Sequence, residues 1–478
     1  MSNDLETTKS LRFLATVLEK GGYVNFYHHK QKWKNSLQEL YCHINYTLMA
    51  FFIVGRLLNT FTRAIHDWPE FLQNAVQAVH VILLFGSLYH YRRNHRQLDE
   101  LITFIETSFS KADPDVLKAC EKKVKYTFLV WLGLMIFYLV TAVLESHTPL
   151  SEHDKEMRRS IYHVKHPERI LPAVIWIPGI DETESYNYEV ILFIESYMSF
   201  SNVMMVIPTY SLAPTIITHL AGQFTILSQF VRKIGQRGED DIPDVNVVAN
   251  QNIVQVNMDA HVNKDDHLKK DAPGKKDSTI AIVVRELPEN EGLVMPLQST
   301  SQEGLPANVP SESRELQWEA YERWYIRQVI LFHQKLLGFQ EKMLSLIRNV
   351  LLIIVTCISI TFSLSMFEIF VCHNLLIKVT VIKLAMMFIS LLVHLYFVCY
   401  CSEQLNDSNL MLRDSLYNSL WYNCCPRARR DILMLLRRAQ RPSYIVLYRG
   451  IIVISNIYIS NFMKTAYSVV NFLKLFLK

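Results

Sequence analysis

Runs of about 20 residues with almost no polar side chain recur along this chain, and they decide its architecture before any motif does. A helix rises about 1.5 Å per residue, so such a run crosses a hydrocarbon core of about 30 Å. Five runs meet that length clearly: Phe71–Tyr91, Tyr126–Leu144, Ser196–Val231, Asn349–Phe367 and Leu384–Ser402. Two are weaker: Leu40–Gly55, continuing past Arg56 toward Ile65, and Tyr444–Phe476, interrupted by Arg449 and Lys464. The pattern predicts an all-α membrane protein with seven transmembrane helices. The first 40 residues are polar and charged and lack the compact apolar core of a cleavable signal peptide, so the first span is expected to direct insertion.

The polar stretches between these runs are of two kinds. "THLAGQFTILSQFVRKI", "LQWEAYERWYIRQVILFHQKLLGFQEKML" and "QLNDSNLMLRDSLYNSLWYNCCPRARRDILMLLRRAQRP" interleave charge with apolar residues at helical period. They predict a helical cytoplasmic anchor domain built from extensions of helices 4 to 7, a natural place for subunits to pack. Residues 235–314 are instead rich in Pro, Asp, Lys, Ser and Gly. They bury too little apolar area to offset the entropy of ordering, and a disordered loop is expected. Pro442 separates a cytoplasmic helix from a last membrane helix expected to begin near Ser443, because proline ends a helix at the residue before it. The expected divisions are 1–43, an N-terminal segment; 44–234, helices 1 to 4 with an outer loop at 147–189; 235–314; 315–442, helices 5 and 6 with the anchor; and 443–478. Pro172, Pro178 and Gly179 are expected to shape turns that let the outer loop cap the bundle.

Charge sets the orientation. Lys and Arg crowd the N-terminal tail, the connection from Arg92 to Lys125 and the segment from Arg413 to Arg441, and are sparser on the opposite side. The positive-inside bias then places the N-terminus inside and, after seven spans, the C-terminus outside. Of 478 residues 50% are hydrophobic and 20% charged, which argues against a disordered or fibrous chain. A net charge of +4 gives no argument for nucleic acid. The eight cysteines are scattered, the adjacent Cys424 and Cys425 lack a second pair at metal-ligand spacing, and no disulfide framework or metal site is expected.

Catalytic signatures are absent: there is no His-Glu-x-x-His, no Gly-x-Ser-x-Gly and no phosphate-binding glycine loop. No enzyme and no cofactor is expected. Glu195, Lys378 and Lys383 lie near the outer interface, where long side chains reach headgroups. Val79 and Leu83, Phe137 and Tyr138, Phe193, Tyr197 and Phe200, and Met386 with Met387 fall in the outer halves of spans two, three, four and six. Singly each is ordinary packing; together they offer the lining of an apolar cavity for a small molecule. In the last helix Ser460, Asn461, Lys464, Ser468, Asn471, Lys474 and Lys478 share one sector at about 100° per residue, with Leu475 in its middle and Phe472 at its edge. Lipid does not tolerate that sector, so it faces either a neighbouring helix or a water-filled path.

"SLYNSLWY" (Ser415–Tyr422), Pro426, "RRAQRP" (Arg437–Pro442) and "MKTAYSVVNFLK" (Met463–Lys474) resemble the C-terminal signature of insect odorant receptors. "HLAGQFTILSQFV", "IRQVILFHQKLLGF" and "LPAVIWIP" resemble its other recurrent stretches. The resemblance implies a tuning receptor that assembles with shared co-receptor subunits as a heterotetramer in the plasma membrane of olfactory dendrites, forming an odorant-gated nonselective cation channel. It implies a pocket for a small volatile odorant among spans two, three, four and six. It also implies a pore lined by the last helix, with a hydrophobic constriction at Phe472 and Phe476, and subunit anchoring by the signature residues Trp421, Tyr422, Gln440, Arg441 and Pro442. A gustatory receptor would carry Thr-Tyr and a later Gln-Phe where this chain has Thr465-Ala466-Tyr467 and Asn471-Phe472. A G-protein-coupled receptor would have its N-terminus outside.

Overall fold

The computed structural model describes residues 9–27, 31–109, 113–146, 152–169, 171, 175–236, 311–372 and 378–476. Residues 237–310, which hold most of the loop expected to be disordered, lie outside them. The chain forms α1 (Lys9–Lys20), α2 (Lys32–Thr62), α3 (Trp68–Arg93), α4 (His95–Phe104), α5 (Pro114–Ser146), α6 (Glu152–Ser160), α7 (Ser185–Arg232), α8 (Ser311–Cys372), α9 (Lys378–Tyr417), α10 (Pro426–Ala439) and α11 (Asn456–Phe476). Among the described residues six helices, α2, α3, α5, α7, α8 and α9, are long and apolar enough to cross a membrane.

α7 is the spine. Its 48 residues pack against α1, α5, α8 and α9, and almost every side chain from Val203 to Phe224 is buried. Pro208 and Pro214 lie inside it without ending it. Each proline removes the donor for the carbonyl four residues earlier. Nearby hydroxyls bond the same stretch of backbone, Thr209 to the Met205 carbonyl at 2.7 Å and Thr215 to that of Ser211 at 2.7 Å. The lengths of α8, 62 residues, and α9, 40 residues, exceed what one crossing needs and carry both helices beyond the apolar zone.

The N-terminal segment holds a helix that the span pattern did not predict. Leu11, Leu14 and Leu18 of α1 share one face and are buried against the bundle. The turn after α1 rests on α2: Asn45 Nδ2 donates to the carbonyls of Gly21 and Gly22, at 3.2 and 3.3 Å. Gly22 has φ +73°, and a Cβ there would lie 2.3 Å from the Tyr41 ring, so only glycine fits this turn.

The segment between α5 and α7 folds over the end of α2. The Trp176 N–H donates to the Gly55 carbonyl at 3.1 Å, and buried Ile175 packs over Gly55. Arg63 pins this cap. It pairs with Glu182, donates to the Tyr162 carbonyl at 3.3 Å, and lies 5.2 Å from the centroids of both the Tyr162 and Trp176 rings. Arg63→Ala leaves Glu182 buried without its cation and is expected to cost about 3 kcal/mol, read as a lower melting midpoint of the detergent-solubilised protein. Arg63→Lys restores only part of it, since an ammonium neither forks nor stacks as guanidinium does.

The last element departs from expectation. α10 stops at Ala439, short of Pro442, but the next helix begins at Asn456 and not near Ser443. Between them Ile445–Leu447 and Ile452–Ile454 pair antiparallel as a two-stranded hairpin. The β-branched alternation "YIVLYRGIIVI" suits extended backbone, and Tyr448 and Gly450 take positive φ, 52° and 109°, at the turn. α9 fixes this start: Ser402 accepts from the Ile445 N–H at 2.9 Å, Asn406 from that of Ser443 at 3.2 Å, and Glu403 from that of Asn456 at 2.8 Å. Asn409 donates to the carbonyls of Ala439 and Arg441, at 2.9 and 2.8 Å. Ser402, Asn406 and Asn409 form one polar stripe at steps of four and three. Asn409→Leu strands two carbonyls and is expected to cost about 2 kcal/mol, seen as reduced surface expression and a lower melting midpoint.

Candidate functional site: a buried aromatic box and an exposed helix

Four helices bring polar aromatic side chains together in the middle of the bundle. Trp131 of α5, Tyr210 of α7 and His394 of α9 are fully buried, and the ring centroids lie 5.1 Å apart for Trp131 and Tyr210, 5.5 Å for Trp131 and His394, and 4.1 Å for Tyr210 and His394. His80 of α3 approaches Tyr210 edge-on at 6.3 Å. Trp131 Nε1, the Tyr210 hydroxyl, His80 Nδ1 and both ring nitrogens of His394 are enclosed and make no hydrogen bond to protein. Each such group costs about 1–3 kcal/mol. Five such atoms lie together here. Pro214 adds to them, since it removes the donor that would meet the Tyr210 carbonyl.

Above this box, on the same helices, lies a small apolar cluster separate from the main core: Val76 of α3 with Leu384 and Met387 of α9, and Leu364 packed against them. Val76 lies one helical turn from His80, and Met387 two turns from His394. The arrangement is amphiphilic, apolar at one end and hydrogen-bonding at the other.

The residues expected to line a cavity divide. Leu83 is buried in the main core. Val79 and Met386 are half-buried beside His80 and Met387, and half-buried Tyr138 lies seven residues along α5 from Trp131, on the same face. Phe137, Phe193 and Phe200 point out from the bundle, 45%, 76% and 58% exposed. Tyr197 goes to the α2 junction, donating to Asn45 at 2.7 Å. In α7 the positions 193, 197 and 200 form one helical stripe and Ile191, Glu195 and Met198 another; the second is the buried one. Lipid is as apolar as a protein interior, so hydrophobicity did not distinguish them. Glu195, placed near an interface by its position, is fully buried, within electrostatic reach of Arg56. The box had a readable signal: His80, Tyr210 and His394 are hydrogen-bonding groups inside apolar spans, where such groups are rare and usually functional.

α11 has a different character. Ile459, Phe462 and Ala466 are half-buried along one stripe, with the Phe462 ring edge-on to Phe362 at 5.0 Å. Lys464, Ser468 and Asn471 are exposed and lie about 180–240° round the helix from Phe462. Thr465 and Ser468 bond back to the carbonyls of Asn461 and Lys464, at 2.9 and 3.0 Å, so their hydroxyls sit on the helix without a neighbour. Phe472, at the edge of the polar stripe, is 57% exposed. The side chains of Leu475 and Phe476 lie outside the described residues. Most of the circumference of this apolar helix is open in the single chain.

Of the residues expected in subunit anchoring, Trp421 is half-buried against the core and its ring meets that of exposed Tyr422 edge-on at 6.4 Å. Gln440, Arg441 and Pro442 are exposed, and Asn409 holds the Arg441 backbone from below.

The fold is similar to that of the insect olfactory receptor OR5 from Machilis hrabei, with 10% identity and a TM-score of 0.67 over 99% of both chains. It is similar to the same receptor in complex with eugenol, with 11% identity and a TM-score of 0.68 over 99% of this chain and 100% of that one. A stretch of 53 residues is 40% identical to odorant receptor 22c of Drosophila melanogaster, covering 11% of this chain and 13% of that receptor. The profile of the 7tm odorant receptor family matches residues 67–467, most of the chain, and the protein therefore belongs to the insect odorant receptor family, multi-pass membrane receptors and not enzymes.

Proposed function

We propose that the chain is a tuning subunit of an odorant-gated nonselective cation channel assembled with co-receptor subunits, with its N-terminus inside the plasma membrane. The observation that carries this reading is the geometry of α11. The helix rests on its own bundle by a narrow stripe and presents Lys464, Ser468 and Asn471 on the opposite side. Four such helices around an axis bury their open apolar flanks on one another and turn the polar stripe to a shared aqueous path.

The box of His80, Trp131, Tyr210 and His394 with the cluster of Val76, Leu384 and Met387 is the odorant site. A volatile molecule with an apolar body and one hydroxyl or carbonyl satisfies both ends, and the OR5 complex with eugenol is a precedent for a small ligand in this fold. Binding drives opening only if the ligand is held more tightly in the open state. Current recorded from cells expressing this chain alone and with the co-receptor, over an odorant panel, is expected to show ligand-evoked cation current. Absence of current in both cases overturns the reading.

A further inference from the structure

A cavity lies about one helical turn from Trp131 and next to Tyr210 along the chain, at the boundary where α5 passes from charged to apolar sequence. Its volume is about 390 Å³, and it is lined by Ser10, Phe13 and Leu14 of α1, Val124, Lys125 and Phe128 of α5, and Ser211 of α7. The walls are almost wholly apolar. The rings of Phe13 and Phe128 meet edge-on at 5.6 Å and close one side.

The position relative to the membrane follows from α5. Its first turns, "PDVLKACEKKVK", are charged, and from Tyr126 to Leu144 no charge occurs. The cavity therefore straddles the level of the lipid headgroups, with its apolar walls toward the hydrocarbon. Lysines predominate among the charges around it at the surface. Lys122, Lys123 and Lys125 are exposed on α5, beside Lys118, which is 4.0 Å from Asp115. The nearby carboxylates are engaged: Glu121 is buried and accepts from the Ser10 hydroxyl at 2.5 Å, and Glu106 pairs with Arg12 at 3.1 Å. An apolar slot with an exposed lysine at headgroup depth, its nearby Glu121 already bonded to Ser10, matches an anionic lipid, because acyl chains fill apolar volume and lysines at this level attract lipid phosphate.

We propose that this cavity holds an acyl chain of an anionic phospholipid, with the headgroup phosphate on Lys125. The lipid then joins α1, α5 and α7, and α5 and α7 also carry Trp131 and Tyr210 of the ligand box.

The test uses the full chain purified from membranes containing equal phosphatidylserine and phosphatidylcholine, with retained lipid counted by native mass spectrometry. The wild type is expected to keep phosphatidylserine in preference. Lys125→Ala, which leaves the apolar walls intact, is expected to lower that preference by about fivefold, the attraction of one surface lysine. Ser211→Phe, which fills the cavity, is expected to lose the retained lipid, and Lys118→Ala, outside the lining, to behave as wild type. Equal retention of the two lipids by the wild type, or unchanged preference in Lys125→Ala, overturns the proposal. Retention of neither lipid also overturns it and leaves the cavity to the chain's own N-terminal residues.

Discussion

Phe472→Ala is expected to raise the ligand-independent current of the assembled channel about tenfold, the change in open-to-closed ratio that about 1.4 kcal/mol produces. Closure depends on wetting. In the proposed assembly the exposed polar stripe of α11 gives water a path, and a closed state needs a point where water is expelled. Phe472 flanks the stripe formed by Lys464, Ser468 and Asn471 and is more than half exposed in the single chain. A ring at this level, repeated around an axis, supplies a constriction narrow and apolar enough to dewet, whereas a methyl group does not. The measurement is holding current in the absence of odorant, normalised to surface expression. Phe472→Leu, which keeps the apolar bulk, is expected to stay close to wild type, so that loss of closure follows loss of volume and not the mutation as such. An unchanged basal current in Phe472→Ala moves the gate to another turn of the helix.

The second large effect is on ligand sensitivity. Tyr210→Phe removes one hydroxyl from the box and keeps the ring that packs 4.1 Å from His394 and 5.1 Å from Trp131. For odorants carrying a hydroxyl or carbonyl, the half-maximal concentration is expected to rise about tenfold, because one hydrogen bond from an otherwise unpaired buried group is lost. For hydrocarbon odorants of similar size the response is expected to stay the same or strengthen, since the variant removes a buried polar group that such ligands leave unsatisfied. This opposite behaviour of two ligand classes separates a role in recognition from a role in folding. Equal loss for both classes assigns Tyr210 to packing.

The chain shows how far a hydrophobicity pattern carries. The long runs gave the six apolar helices among the described residues, and the amphipathic extensions agreed with the lengths of α7, α8 and α9, because both depend only on composition along a helix. The pattern missed α1, where three leucines on one face are too few to stand out from a polar segment. It placed the last helix about thirteen residues early, near Ser443 and not at Asn456, since "YIVLYRGIIVI" is as apolar as a helix. Register along α9, where Ser402, Glu403, Asn406 and Asn409 meet the backbone of Ser443 to Asn456, decides for a hairpin.

For the proposed ligand site the sequence pattern reaches the level of helices and not of side chains. Spans two, three, four and six do meet at the box, as α3, α5, α7 and α9. Which face of each turns inward depends on packing between helices, and aromatic residues serve lipid contact as readily as cavity walls. Phe193 and Phe200 were therefore indistinguishable from Tyr210 by character alone. Polarity inside an apolar span is a separate signal, and it points to His80 and His394.

The central claim is that α11 turns its polar stripe to water in the assembled receptor, and cysteine accessibility tests it directly. Single cysteines placed along α11 in the chain expressed with co-receptor are exposed to a charged, membrane-impermeant thiol reagent during odorant-evoked current. Block is expected for cysteines at Lys464, Ser468 and Asn471, and none for those at Ile459, Phe462 and Ala466. Block at Ile459, Phe462 and Ala466 without block at Lys464, Ser468 and Asn471, or reaction all round the helix, contradicts the account.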